Sequence, residues 1–145
     1  MDAVLEQRVA RRTSFTVLVF DLNGFKQVND TYGHAAGDDV LMQFAKELRA
    51  AFRAMDDVGR WGGDEFIVVL DCGMEEARRQ LERVRKWVFG DYTLHGEGRP
   101  GKLHVDASVG VATWREGETI AGMFARADAE MYKEKKAAGR ALTRA

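Results

Sequence analysis

The apolar residues of this chain switch between two spacings. Residues 14 to 22, SFTVLVFDL, form an unbroken β-branched and aromatic run, which predicts a buried strand. From 38 to 52 the apolar positions Val40, Leu41, Phe44, Ala45, Leu48 and Phe52 mark one face of a helix. Asp38 or Asp39 falls in its N-cap region. Helical spacing returns over 75 to 89, through Ala77, Leu81, Val84 and Val88, and over 119 to 138, through Ile120, Met123, Phe124, Ala127 and Met131. Residues 3 to 12 are helix-compatible but charged. Within a single domain of 1–145, residues 1–13 read as a lead-in helix.

DDVGRW (56 to 61) and DEFIVVLD (64 to 71) are strand-forming stretches either side of a glycine pair, the pattern of a hairpin. Residues 92 to 114 hold further strands around a glycine-rich, proline-containing break at 96 to 101. Residues 23 to 37 carry three glycines and two asparagines and read as a loop with a short helix inside it. The order strand, helix, strand, strand, helix, strand, helix predicts an α+β fold. Its plan is ferredoxin-like or palm-like, an antiparallel central sheet with helices on one face.

Composition narrows the function classes. Hydrophobic residues make up 46% of 145, enough for one real core. The formal net charge of −1 gives no global attraction to nucleic acid or an anionic membrane, so phosphate binding has to come from local groups. A single cysteine, Cys72, fits a reducing, cytoplasmic setting. No stretch reads as a signal peptide or membrane span. The charged helix leading straight into a strand gives the expectation of a module from something longer, which could itself be membrane-anchored.

The candidate chemistry lies in the acids. Asp21 ends the first strand, and Asp64 and Glu65 sit at the hairpin turn. In a palm-like sheet those ends lie side by side, and converging carboxylates repel unless a cation joins them. Oxygen ligands without histidine or thiol suit magnesium or manganese. Two such ions can activate a hydroxyl and stabilise a pyrophosphate leaving group. Gly62 and Gly63 permit close approach of a ligand. Backbone N–H groups of LNGFK could cradle phosphates, with Lys26 adding charge, and Asn29 and Asp38 could read a purine edge. Plainer readings exist: acidic hairpin tips are often solvated turns, Asn29 and Asp30 suit a turn, and Asp38 suits a cap. Cys72, His34, His95 and His104 lack zinc-ligand spacing and read as structural or exposed. Neither a GxGxxG pattern nor a P-loop occurs.

RWGGDEF, with FDLNGFKQVNDTYGHAAGDDVL upstream and ASVGVA and ADAEMYKEKKAAGR downstream, resembles the GGDEF family of diguanylate cyclases over about residues 14 to 140. The resemblance implies a palm-like domain that condenses two GTP into cyclic di-GMP with loss of two pyrophosphates. Each domain holds one GTP and two magnesium or manganese ions, and two domains meet face to face as a transient homodimer. By motif position, Asp21, Asp64 and the Leu22 carbonyl look like metal ligands, with Glu65 a further catalytic acid. Gly24, Phe25 and Lys26 would wrap the β- and γ-phosphates, Gly62 and Gly63 would approach the substrate, and Asn29 and Asp38 would read guanine. A carboxylate at Asp38 favours GTP over ATP. The intact acids imply a competent cyclase. The alternative is a weak or inactive module that binds GTP or cyclic di-GMP and regulates a partner. A more distant alternative is another palm-type nucleotidyltransferase.

The chain also departs from the family. Asn23 replaces the family's second acid, two residues after Asp21, and removes a charge there. The family's phosphate-binding Lys-x-x-x-Arg is kept by Lys136 and Arg140, but counting from Tyr132 makes Lys135 the match, so either lysine fits. The family's Asp-x-Leu-Thr-Gly-Leu stretch is absent, and an upstream sensory or dimerising region is expected. Arg53 to Asp56, RAMD, matches the family's inhibitory Arg-x-x-Asp, with five residues before the glycine pair. A second arginine, Arg83 or Arg85, could complete that site for product. The plainer reading is a helix-ending arginine followed by a loop aspartate.

Overall fold

A computed structural model describes the backbone of residues 1–94 and 101–144, and side chains as far as residue 138. His95 and the Arg140 side chain lie outside the described residues, as does all of the expected 96-to-101 break except Gly101. The elements are α1 (Asp2–Arg11), β1 (Thr16–Leu22), α2 (Phe25–Tyr32), α3 (His34–Ala51), β2 (Asp57–Arg60) and β3 (Glu65–Leu70). They continue as α4 (Met74–Trp87), β4 (Gly90–Leu94), β5 (Gly101–Val105), β6 (Ala107–Thr113) and α5 (Ile120–Arg144). The central sheet has the order β2–β3–β1–β6 with every pairing antiparallel, and β4 and β5 form a separate hairpin.

Helices cover both faces of the sheet, not one. On one side Leu18, Phe20, Leu22, Phe66, Val68 and Val109 pack against Val40, Phe44 and Leu48 of α3 and Leu81 and Val84 of α4. On the other, Val17, Val19, Ile67, Val69 and Ala112 pack against Leu5 of α1 and Met123, Ala127 and Met131 of α5. The continuous apolar run of β1 is the cause. Alternation would leave one polar face, whereas an unbroken run needs cover on both.

Two further expectations change. The short helix expected inside the 23-to-37 loop is α2, but the rest of that stretch is not all loop: after Gly33, at φ 92, the first turn of α3 begins at His34. Asp38 and Asp39 therefore lie inside α3, and the N-cap is Gly33. The first turn of α3, HAAG, has few large apolar residues, so its periodicity is faint. Packing explains one of its residues: a Cβ on Gly37 would lie 1.8 Å from Asn29 Oδ1, so glycine leaves the Asn29 side chain of α2 its place against α3.

α5 is seated in the same way. A Cβ on Gly110 of β6 would fall 1.7 Å from the Ala127 carbonyl oxygen. At the exposed edge of β6, Glu130 accepts the Val111 N–H at 3.3 Å and pairs with Arg78 of α4 at 3.0 Å, blunting a free strand edge. α1 is held by Arg8, which is almost buried and pairs with Asp57 at 2.7 Å and with Asp71.

Candidate active site

Strand register brings the acids together. Asp21 of β1 stands opposite Glu65 of β3, and the Leu22 N–H donates to the Asp64 carbonyl at 3.1 Å. Because side chains alternate along a strand, Asp21 shares a face with Val17 and Val19 and so points toward α5. From that helix Lys135 places its Nζ 3.1 Å from Asp21 Oδ2 and 3.4 Å from the Leu22 carbonyl oxygen. The hairpin turn is held by Arg60, whose guanidinium donates to the Gly63 carbonyl at 2.6 Å and the Gly62 carbonyl at 3.1 Å. Gly62 and Gly63 are exposed, and a Cβ on Gly63 would meet nothing within 4 Å. That surface is open to a ligand.

The electrostatics fit a cation site. Burial raises the Asp21 carboxyl above its ordinary range, Lys135 pulls it back, and nearby Asp64 raises it further. Burial likewise raises Glu65, reinforced by the charges of Asp21, Asp128 and Asp64. Asp21 Oδ1 is buried without a hydrogen-bond partner, which is costly for a carboxylate oxygen unless a further positive group binds it. Among the described residues no three acidic, histidine or cysteine side chains gather as a self-sufficient metal cage. Two carboxylates and a main-chain carbonyl match magnesium's habit of completing its shell with phosphate oxygens and water.

The remaining candidates divide. Gly24, at φ 69, starts α2 directly after β1, so Phe25 and Lys26 open a helix N-terminus beside the acids. Asn29 Oδ1 is buried and unpartnered and lies against Gly37, the residue before the exposed Asp38. Lys135 is at the acids, whereas the Lys136 ammonium sits over the Tyr132 ring, 4.8 Å from its centroid. Asn23 turns to β6, donating to Asp106 at 2.9 Å and accepting from Ser108 at 2.8 Å. Asp128 and the stack of Trp61 on Phe124, with ring centroids 5.3 Å apart, were not anticipated beside Glu65. The available signal was spacing, since Asp128 and Lys135 are two helical turns apart on one face of α5.

The Arg53–Asp56 segment forms a separate turn. The Arg53 N–H donates to Asp56 Oδ2 at 2.9 Å, and Arg49 donates to the Asp56 carbonyl at 2.6 Å. A cavity of about 200 Å³ beside it is lined by Arg53, Asp56, Asp71, Cys72, Glu76 and Gln80. Arg83 donates to the Ala51 carbonyl, at the end of α3 and near Arg53. Arg85 instead makes two 3.0 Å hydrogen bonds to Glu134 of α5, so within this domain it is turned away from the turn.

Comparison with known proteins supplies context. The chain matches the family model described as diguanylate cyclase, GGDEF domain, over residues 1–141. It is 40% identical to diguanylate cyclase DgcP of Pseudomonas aeruginosa, covering 92% of this chain and 20% of that protein. It is 38% identical to response regulator PleD of Caulobacter vibrioides, covering 97% of this chain and 31% of that protein. The chain thus spans about a fifth to a third of these relatives. Among solved structures, diguanylate cyclase SiaD of Pseudomonas aeruginosa, in complex with its activator SiaC, superposes with a TM-score of 0.85 at 37% identity, over 93% of this chain and 53% of that one. The coiled coil and GGDEF domain of DgcB from Caulobacter crescentus, in complex with c-di-GMP, gives a TM-score of 0.85 at 26% identity, over 94% of this chain and 74% of that one.

Proposed function

Because the chain belongs to the GGDEF family of diguanylate cyclases, we propose that it condenses two GTP into cyclic di-GMP, releasing two pyrophosphates, where two such domains meet face to face. The observation that carries this reading is the buried, unpartnered Asp21 oxygen beside Asp64 at an open glycine turn. Asp21, Asp64 and the Leu22 carbonyl would hold two magnesium or manganese ions, with Glu65 beside them. When bound, such ions lower the pKa of an attacking hydroxyl and neutralise charge on the leaving pyrophosphate. The N–H groups at Gly24, Phe25 and Lys26 bind the β- and γ-phosphates, and Lys26 adds its charge. Lys135, rather than Lys136, serves the phosphates from α5, together with Arg140. Asn29 and Asp38 read guanine: a carboxylate accepts from guanine N1–H and the 2-amino group and offers adenine no donor, so GTP is preferred to ATP. Open Gly62 and Gly63 let the substrate, and the partner domain's substrate, approach.

Arg53 and Asp56, assisted by Arg83, bind cyclic di-GMP as a feedback inhibitor. The guanidinium fork suits guanine O6 and N7. Pairing of two domains is supplied from outside this one, as the greater length of the relatives supports. Among the described residues no helix is long and apolar enough to cross a membrane. The proposed setting is the cytoplasm.

The test is product identification by mass spectrometry after incubating a dimerised, folded protein with GTP and magnesium. Cyclic di-GMP is expected from the wild type, and none from Asp64→Ala, with circular dichroism unchanged. No product from the dimerised wild type sinks the reading, and so does cyclic GMP–AMP as the main product from mixed nucleotides.

A further inference from the structure

Asp21 and the Leu22 carbonyl already share one cation, the Lys135 ammonium, at 3.1 and 3.4 Å. The Asp21 side chain is only 14% exposed and the Lys135 side chain 39%. The lysine therefore reaches in from solvent to a nearly buried acid. Its stem is anchored by α5, which Gly110 allows to lie directly on β6. The second Asp21 oxygen keeps no hydrogen-bond partner, so the ammonium satisfies only half of the carboxylate. One point charge cannot serve both oxygens of this acid and the acids of Asp64 and Glu65 across the strand end.

We propose that Lys135 is a resident counter-cation, holding the position between Asp21 and the Leu22 carbonyl while no nucleotide is bound, and exchanging it for a divalent cation when a nucleoside triphosphate arrives to take the ammonium. This rests on the reading of Asp21 and Leu22 as metal ligands. The physical reason for an exchange is double occupancy. Two positive charges within hydrogen-bonding distance of the same carboxylate oxygen repel, so metal and ammonium compete for Asp21. A displaced ammonium left in solvent loses its charge-assisted hydrogen bonds. A triphosphate restores them, because it is anionic and brings its own oxygens to the metal. Metal and nucleotide then bind cooperatively through Lys135, and by linkage each strengthens the other equally. The device offsets part of the charge on Asp21 without committing the site to free metal.

The exchange is tested by titrating Mn²⁺ into the folded protein, followed by electron paramagnetic resonance. One series has no nucleotide, and the other has a GTP analogue whose α–β bridge cannot be cleaved. Lys135→Met and Lys135→Gln are expected to bind Mn²⁺ about tenfold more tightly than wild type without nucleotide, the scale of one charge-assisted hydrogen bond. They are also expected to lose most of the tightening that the analogue gives the wild type. Lys136→Gln, which removes an equal charge one residue away, is expected to move neither value. Unchanged or weaker nucleotide-free Mn²⁺ binding in both Lys135 variants overturns the proposal, as does equal tightening by Lys136→Gln. Asp21→Asn separates the underlying reading. If it leaves Mn²⁺ affinity in the presence of the analogue intact, the ligand assignment falls and the exchange falls with it. If it abolishes that affinity while the Lys135 variants do not tighten binding, the exchange alone fails.

Discussion

At the scale of single residues, the acids at the end of β1 and β3 are held against their own electrostatics. Burial and three neighbouring carboxylates keep Glu65 reluctant to ionise. A carboxyl whose folded pKa lies above its unfolded value binds protons more readily in the native state. Its ionisation therefore costs stability as pH rises through the window from the unfolded value up to the raised one, and that cost is absent below the window. Glu65→Gln removes the charge and is expected to stabilise the metal-free domain at pH 7 by up to about 1 kcal/mol, since the site is part-exposed and screened. Thermal unfolding in a chelator should show the gain at pH 7, and it should disappear at a pH low enough to protonate Glu65. Mn²⁺ with a GTP analogue should reverse the ranking. A variant no more stable than wild type at pH 7 sinks this account. The acids themselves were legible in the sequence, because their positions follow from strand ends and a hairpin. The lysine that answers them was not singled out. Its partner lies 114 residues away, and only the seating of α5 selects Lys135 over Lys136.

At the scale of elements, two glycines that look alike in the sequence do different work. A Cβ at Gly37 would collide with the end of the Asn29 side chain, which can swing aside. A Cβ at Gly110 would collide with the Ala127 carbonyl, which is helix backbone and cannot. Gly110→Ala is therefore expected to destabilise the domain by about 1–3 kcal/mol, as overpacking does, with α5 lifted from β6. Gly37→Ala is expected to leave the unfolding midpoint near that of wild type while raising KM for GTP several-fold, because Asn29 is displaced from the proposed guanine contact. Urea unfolding and steady-state kinetics on both variants check this, and a large stability loss in Gly37→Ala with unchanged KM contradicts it. Here the sequence was partly opaque. Periodicity located α3, α4 and α5 to within a few residues, except at the ends where small residues carry the chain. The start of α3 is Ala and Gly, so the helix began earlier than its apolar face. Helices on both sheet faces could have been read from the continuous run in β1, but strand order alone does not say which side each helix takes.

At the scale of the whole molecule, the β2–β3 hairpin separates two sites. Glu65 opens β3 at the acid cluster, and Leu70 ends it at the cavity lined by Arg53 and Asp56. Six residues of strand put about 17 Å between those ends. A ligand at Arg53 therefore does not contact Asp21 or Asp64 of its own domain. If cyclic di-GMP inhibits from that cavity, it acts by restraining how two domains meet, not by competing for the triphosphate site. Initial rates over a range of GTP, with cyclic di-GMP added, should then show a falling maximal velocity and a KM that stays put. Arg53→Ala should remove most of the inhibition and weaken calorimetric binding of cyclic di-GMP severely, because a guanidinium fork reading a purine edge contributes about 1–3 kcal/mol. Arg83→Ala should weaken binding less, since its guanidinium also holds the Ala51 carbonyl. Arg85→Ala separates two geometries. Within one domain its guanidinium is committed to Glu134. Loss of inhibition in that variant would therefore mean that the arginine arrives from the neighbouring domain. Inhibition that GTP relieves competitively, with undiminished binding in Arg53→Ala, would return Arg53 and Asp56 to a simple turn after α3.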